Sequence, residues 1–157
     1  MNNKIVLETV SWGTMRKEDL IPSFVQELFR IDPDNEVANN VQGTYSDYSD
    51  DDIDDYWNSE SSDFDLNDLF DEINNVCDLP YVYFGANDGD GSDYGFWADI
   101  ISLEEDIEND KIGYITNIDD LHDKYLDFTG LLVWDITTSY SLYEAENGRL
   151  KNLIWSA

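Results

Sequence analysis

Apolar residues recur with two different periods along this chain, and the period changes near its middle. In the first half they recur every three or four residues, which predicts amphipathic helices. The two clearest faces of this kind comprise Leu20, Phe24, Leu28 and Ile31, and Leu66, Leu69, Phe70, Ile73 and Cys77. In the second half, short runs rich in β-branched and aromatic residues predict strands. The pattern therefore predicts helices mainly first and strands mainly later.

The predicted elements follow from these periods and from the residues that end them. Helices are predicted at 15–31, 34–42, 64–76 and 103–109, with a turn or helical turn at 118–125. Strands are predicted at 4–10, 80–84, 94–100, 111–116, 130–137, 140–145 and 150–155. Asp63 and Ser102 are the expected N-caps of the third and fourth helices. Asn147-Gly148 predicts a hairpin turn before the last strand.

These elements predict an α+β fold, in which an N-terminal strand and helices pack on a mainly antiparallel sheet that ends in a C-terminal β-meander. No internal repeat or linker divides the 157 residues, so one domain spanning 1–157 is expected. Loops are predicted at 43–49 and 85–93. Residues 50–58 fit an acidic loop and a helix with Ile53, Tyr56 and Trp57 on one face equally well. Residues 43–62 are therefore an acidic loop or a helical insertion.

The charge distribution is the feature that most changes this picture. The net charge is −28, from 36 acidic and 8 basic residues. Residues 31–110 contain 25 of the acidic residues and no Lys or Arg. Such a charge opposes compaction through self-repulsion, and solubility alone does not need it. It favours cationic partners and disfavours contact with DNA, RNA or an anionic membrane.

The rest of the composition indicates a folded chain in a reducing compartment. Apolar residues make up 41% and aromatic residues 14% of the sequence, which is too apolar for full disorder. Cys77 is the only cysteine, so an intramolecular disulfide is excluded. No signal peptide and no membrane span are visible. The cytoplasm is the expected location, and both a monomer and a homodimer stay open.

No motif predicts catalysis, a cofactor or a bound metal. The Gly-rich loop with Asp88, Asp90 and Asp93 suggests calcium, but no EF-hand register places glutamate at its twelfth position. A hairpin loop is the simpler interpretation, and a different oxygen-rich site stays open. His122 and Cys77 are expected at the surface and in the core, which argues against a zinc site of the usual kind. The glycines lack a P-loop lysine, and a carboxylate pair has no specificity among so many acidic residues.

Two stretches of the sequence share motifs with a known group of proteins. The first is LETVSWGT at residues 7–14, continued by EDLIPSF at residues 18–24. The second is YFG at residues 83–85, followed by GDGSDYGFW at residues 89–97. Together they resemble a family of uncharacterised small acidic proteins of phages, prophages and bacteria. The resemblance implies a phage setting and transfers no activity and no catalytic residue.

Charge and setting together predict a phage anti-defence protein that mimics DNA. Duplex DNA carries about one charge per 1.7 Å of axis, so the 25 carboxylates at that density match about 42 Å, or about 12 base pairs. The protein would occupy the DNA-binding groove of a host nuclease, of the restriction or the CRISPR type, without catalysis. The carboxylates expected to replace phosphates are Asp47, Asp50, Asp51, Asp52, Asp54, Asp55, Glu60, Asp63, Asp65 and Asp68. Tyr48, Tyr56 and Trp57 are expected to add rigid contact area.

Three alternatives share part of this evidence. An immunity or antitoxin-type inhibitor of one basic toxin would use the same electrostatics. An enzyme or a metal-dependent binder would use the loop at 88–93. An acidic interaction module that does not imitate DNA, or a surface whose charge serves solvation alone, would need no ordered array of carboxylates.

Overall fold

Most helices of this protein lie in the first half of the chain, and most strands lie in the second. The computed structural model describes residues 5–137 and 139–157. The helices are α1 (Lys17–Ile31), α2 (Glu36–Ser46), α3 (Ile53–Trp57), α4 (Glu60–Val76), α5 (Ile100–Glu108) and α6 (Asp120–Lys124). The strands are β1 (Thr9–Ser11), β2 (Val82–Asn87), β3 (Asp90–Ala98), β4 (Gly113–Ile115), β5 (Gly130–Asp135), β6 (Tyr140–Glu146) and β7 (Arg149–Ser156). The predicted α+β class is confirmed.

The chain divides into two compact units, Met1–Trp97 and Ala98–Ala157. The first contains α1 to α4 and a three-stranded sheet in the order β1-β3-β2. The second contains α5, α6 and a four-stranded sheet in the order β4-β5-β6-β7. The single domain spanning 1–157 stays a prediction. Within the residues that the structure describes, no helix has the length and apolarity needed to cross a membrane.

Phe84 on β2 is at the centre of the core of the first unit. Its side chain is 1% exposed, and its ring centroid lies 5.0 Å from that of Phe24 on α1, in an edge-to-face arrangement. The ring centroids of Phe70 on α4 and Phe96 on β3 lie 5.6 Å and 5.2 Å away. Such ring pairs add to the free energy gained by burial. Because the four rings come from four elements, this one cluster joins both long helices to the sheet.

The free edge of β2 is covered by a side chain of α4. The Asn74 side-chain amide donates to the Phe84 carbonyl at 3.1 Å, and its oxygen accepts from the Phe84 N–H at 2.9 Å. These two bonds replace those that a further strand would make, so the edge does not present both groups unpaired. The same amide also donates to the carbonyl of Phe70 at 3.1 Å. Asn74 therefore fixes the position of α4 along the edge of the sheet.

The sheet of the second unit is a meander extended by one parallel strand. β5 pairs with β6 and β6 with β7 in antiparallel register, whereas β4 lies parallel to β5. Asn147 and Gly148, with φ of 50° and 68°, form the two-residue turn between β6 and β7, which confirms the predicted hairpin. A Cβ atom at Gly148 would collide with the carbonyl oxygen of Leu126. This position therefore needs glycine both for its conformation and for space.

Two predicted helix starts are wrong because an earlier residue caps the helix. α4 begins directly after Ser59, whose hydroxyl accepts from the N–H of the third helical residue, and Asp63 lies inside the helix. α5 is capped by Asp99, whose carboxylate accepts from the N–H of Ser102 at 3.0 Å and from its hydroxyl at 2.7 Å. An earlier Ser or Asp is an equally good N-cap, so the sequence alone does not choose between them.

The strand predicted at 4–10 and two predicted loops are also corrected. β1 covers only Thr9–Ser11, with an irregular register against β3, and Lys4 lies outside the described residues. The loop predicted at 85–93 is reduced to the two-residue turn Asp88-Gly89, because β2 and β3 both extend into it. α2 likewise continues to Ser46, into the loop predicted after it.

We expect replacement of Asn74 by Leu to lower the free energy of unfolding by about 2–3 kcal/mol, because two backbone groups of the buried Phe84 lose their partners. Urea denaturation measures this change. Asn75→Leu is the matched control, since Asn75 lies exposed on the same helix. Equal unfolding free energies for the two variants would contradict the role given to Asn74.

The hydrogen bonds of the Asp99 carboxyl lead us to expect that the stability of the fold depends on pH. The two hydrogen bonds from Ser102 lower the pKa of the Asp99 carboxyl below its ordinary value of 3.8. A lowered folded-state pKa stabilises the fold above the unfolded-state pKa, and this contribution is lost as the pH falls through the folded-state value. Wild type should therefore exceed Asp99→Asn in melting temperature at pH 6, and the difference should shrink below about pH 4. A difference independent of pH would contradict this expectation, and Asp127→Asn is the control.

Candidate protein-binding surface

The carboxylates that the sequence singles out lie on one continuous part of the first unit, residues 47–68, which we call the acidic segment. It consists of the loop after α2, helix α3 and the first half of α4. Of the two structures that residues 50–58 fit, the helix is present at Ile53–Trp57. Asp65 is half-buried. The exposed carboxylates of the segment are those of Asp47, Asp50, Asp51, Asp52, Asp54, Asp55, Glu60, Asp63 and Asp68.

An aromatic cluster holds the acidic segment against the body of the first unit. The ring of Tyr56 on α3 is fully buried. Its centroid lies 4.8 Å from that of Trp57, 5.5 Å from that of Tyr48 and 6.3 Å from that of Tyr45 on α2. The Tyr56 hydroxyl donates to the Asp65 carboxylate at 2.6 Å, which connects α3 to α4. Burial first, and then this hydrogen bond, raise the pKa of the Tyr56 hydroxyl well above its ordinary value.

These contacts give the three predicted aromatic residues different positions. Tyr48 is 41% exposed and can supply contact area, and Trp57 is half-buried. Tyr56 has no exposed surface, so the contact area expected of it is absent and its ring belongs to the interior. Tyr56 follows five aspartates within six residues, so the face that it shares with Ile53 and Trp57 is the sequence signal for its burial.

Two serines make the junction between α3 and α4. Ser59 caps α4 by accepting from the N–H of Ser62 at 3.3 Å. The buried Ser62 hydroxyl lies 3.1 Å from the carbonyl of Trp57 and 2.8 Å from that of Ser59, and it donates to these two oxygens. The first turn of α4 also carries Glu60 and Asp63, where the helix dipole favours negative charge. The acidic residues here therefore support the helix that displays them.

Carboxylates follow the exposed side of α4. Glu60, Phe64, Asp68 and Asp71 are spaced by four, four and three residues, so they share one face, and all four are exposed. At 1.5 Å per residue this face extends about 17 Å along the helix axis. Phe64 is 60% exposed and is the single large apolar residue among these four.

The lysine and arginine side chains described in the first unit are each paired with a carboxylate of the same unit. Arg16 contacts Glu18, and Arg30 contacts Glu27 at 2.5 Å. The ammonium group of Lys17 lies 2.8 Å from the Asp63 carboxylate and donates to the carbonyl of Ser59 at 3.2 Å. Asp63 is therefore the one predicted phosphate substitute whose charge is partly neutralised within the described residues. Sequence reasoning missed this pair because 46 positions separate its members.

The hairpin between β2 and β3 explains the Gly-rich loop without a cation. The Asp90 carboxylate accepts from the Ser92 N–H at 3.0 Å and from its hydroxyl at 2.8 Å, and these bonds lower the Asp90 pKa. Across residues 5–137 and 139–157, no three His, Cys, Asp or Glu side chains form a group that could hold a metal ion. The geometry thus gives a metal-dependent function no support, and the absence of metal and cofactor stays a prediction.

Neither of the two single reactive residues has the environment of a catalytic group. Burial raises the pKa of the Cys77 thiol, which disfavours the nucleophilic thiolate. The thiol lies 3.9 Å from the carbonyl oxygen of Val82. His122 is exposed on the short helix α6. The exposed carboxylates of residues 47–68 therefore remain the candidate site.

Comparisons with models of known protein families, with curated proteins and with solved structures give no match to this chain. The family resemblance of the two motifs therefore stays a prediction.

We expect Tyr56→Phe to lower the free energy of unfolding by about 1.5 kcal/mol, because the variant keeps the buried ring and loses the hydrogen bond to the Asp65 carboxylate. Thermal unfolding followed by circular dichroism measures the change. Tyr48→Phe is the matched control in the same cluster, and it should leave the stability almost unchanged. A loss in Tyr48→Phe as large as that in Tyr56→Phe would refute the role of the Asp65 bond.

Proposed function

We propose that this protein is a phage-encoded DNA mimic that inhibits a host nuclease, of the restriction or the CRISPR type, by occupying its DNA-binding groove. One observation carries the proposal. Exposed carboxylates crowd the acidic segment, and the buried Tyr56, its hydrogen bond to Asp65 and the Ser59 cap of α4 hold that segment in a defined conformation. A partner with fixed cations can recognise such an array, because the charges have fixed positions.

The density of charge along α4 supports imitation of a phosphate backbone. Five acidic residues lie between Glu60 and Asp71, which at 1.5 Å per residue is about one per 4 Å of helix axis. One strand of DNA carries about one phosphate per 3.4 Å of axis. Asp65 and Asp63 are engaged by Tyr56 and Lys17, so the exposed array on α4 is sparser than this count. The aspartates of α3 and of the loop before it add further charge beside the helix.

The side chains of this array also suit a mimic. Nine of the ten predicted residues are aspartate, and aspartate keeps its charge close to the backbone. Few rotatable bonds lie between backbone and carboxylate, so little conformational entropy is lost when a partner binds. Longer glutamates in the same places would hold the charge less firmly.

The placement of cations supports the same function. A cationic side chain beside the array would repel the basic groove of a nuclease. Arg16, Lys17 and Arg30 are each occupied by a carboxylate of their own unit. The protein would thus bind a basic DNA-binding protein in the host cytoplasm, without catalysis and without contact with nucleic acid.

Neutralising part of the array tests this function. We expect the fourfold variant Asp50→Asn, Asp51→Asn, Asp54→Asn and Asp55→Asn to inhibit a sensitive nuclease at least about tenfold less well than wild type, with a weaker dependence on salt. DNA cleavage by a purified type I restriction enzyme and by a purified RNA-guided nuclease, at several NaCl concentrations, measures inhibition.

The control carries the same change in net charge on the second unit. It replaces the exposed Asp110, Asp119, Asp123 and Asp127 by asparagine. An equal loss of inhibition in both variants would mean that total charge decides binding and would reject the acidic segment as the site. No inhibition of either nuclease by wild type would reject the proposed function for these two classes.

A further inference from the structure

The loop between β1 and α1, residues 12–16, presents two large apolar side chains to solvent, and we call it the Trp12 loop. Trp12 is 73% exposed and Met15 is 68% exposed. These are the largest exposures among the big hydrophobic residues in the described part of the first unit. Two such residues, three positions apart in one short loop, are more than the single exposed apolar residues that ordinary surfaces carry. Trp and Met are also enriched where proteins bind one another.

Hydrogen bonds hold the loop in place, although its apolar side chains are exposed to solvent. The Gly13 N–H donates to the Ser92 carbonyl at 3.0 Å, with Gly13 at a φ of 76° that favours glycine. The Thr14 hydroxyl donates to Asp19 at 2.7 Å and accepts from the N–H of Arg16 at 3.1 Å. A loop held in this way loses little conformational freedom on binding.

The Trp12 loop adjoins the acidic segment. Met15 is two residues before Lys17, whose ammonium group contacts Ser59 and Asp63 of that segment. On its other side the loop is attached to β3 through the bond from Gly13 to Ser92, and the nearby Asp88 and Asp90 are exposed. The apolar pair therefore lies between two groups of carboxylates, and a partner that covers it must tolerate negative charge on both sides.

The two sequence motifs that composition alone left without a role meet at this loop. Residues 12–14 belong to the first motif, and residues 90–92 belong to the second. The bond from Gly13 to Ser92 joins them. The motif residues at this junction thus serve to hold the Trp12 loop in place with the ring of Trp12 exposed.

We propose that Trp12 and Met15 are the apolar anchor of the binding surface, and that the target carries an apolar pocket bordered by Lys or Arg next to its DNA-binding groove. The proposal rests on the proposed function, because it takes the acidic segment as the neighbouring contact. Duplex DNA presents charge to a groove but no protruding indole. The anchor therefore lets the protein distinguish its target from other basic grooves and slows dissociation, while the carboxylates set the rate of association.

The test compares two cationic probes with the same number of lysines per chain: poly-L-lysine, and a random copolymer of L-lysine and L-phenylalanine. Binding to the full chain is measured by calorimetry at several NaCl concentrations. The variants are Trp12→Ala and Met15→Ser. Met15→Ser removes apolar surface without removing a side-chain hydrogen bond. Melting curves confirm that both variants fold. The matched control is Ile101→Ala, since Ile101 is 75% exposed and lies outside the loop.

We expect wild type and Ile101→Ala to bind the copolymer about tenfold more tightly than poly-L-lysine, because the phenyl groups cover the exposed indole and thioether. Trp12→Ala and Met15→Ser should each reduce this preference by at least about threefold, with the salt dependence unchanged. An undiminished preference in both variants, or an equal reduction in Ile101→Ala, would overturn the anchor.

The fourfold asparagine variant of the acidic segment separates this result from the proposed function. It should weaken binding to both polymers and lower the salt dependence, yet keep the preference for the copolymer. Wild type that fails to inhibit both nucleases but keeps the preference would overturn mimicry and leave the anchor standing. Wild type that inhibits a nuclease but shows no preference would overturn the anchor and leave mimicry standing.

Discussion

The burial of Tyr56 is the interaction on which the acidic segment depends. Two carboxylates about 6 Å apart repel each other by about 0.7 kcal/mol in water, and salt reduces this further. Burying one large apolar side chain contributes about 2–3 kcal/mol, and a hydrogen bond to a carboxylate adds about 1.5 kcal/mol or more. Tyr56 makes both contributions at one position. A single buried ring therefore offsets several repulsive pairs, and α3 can form where charge alone would favour an extended loop.

The cations of the first unit are likewise placed where they stabilise local structure. Lys17 reaches from α1 to Asp63 and to the carbonyl of Ser59, so it stabilises the start of α4. It contacts the segment at the junction of α3 and α4, and its own side chain is only 23% exposed. A surface pair of this kind contributes little to stability. Its larger effect is to close the junction of α1 and α4 while the aspartates of α3 keep their charge exposed.

The sequence allowed the fold class to be predicted because periodicity survives in spite of the charge. The apolar faces of α1 and α4 and the Asn147-Gly148 turn depend on local patterns, and the structure contains all of them. Helix starts depended on a choice between neighbouring caps of similar strength, so they were missed by several residues. The parallel pairing of β4 with β5 joins segments far apart in sequence, and no local pattern indicates it.

In the candidate site, only the features that follow directly from residue type could be predicted from the sequence. The exposure of the aspartates follows from their solvation, and nine of the ten predicted carboxylates are exposed, whereas Asp65 is half-buried against Tyr56. The burial of Tyr56, the Lys17–Asp63 pair and the bond from Gly13 to Ser92 are tertiary contacts between segments. An aromatic residue among aspartates gives the same local pattern whether its ring lies inside or outside.

Fixed positions are what separate recognition from solvation. Solubility depends on net charge and is served equally well by a hydrated loop without internal contacts. Here the aspartates of α3 and α4 are held close together by the aromatic cluster and by the serine caps, which brings like charges nearer and so costs free energy. Order of this kind has no benefit for solvation. It has one for a partner whose cations are also fixed, because a preorganised array loses less entropy on binding. The conflict between local repulsion and local order is therefore the strongest physical argument that this surface is built to be bound.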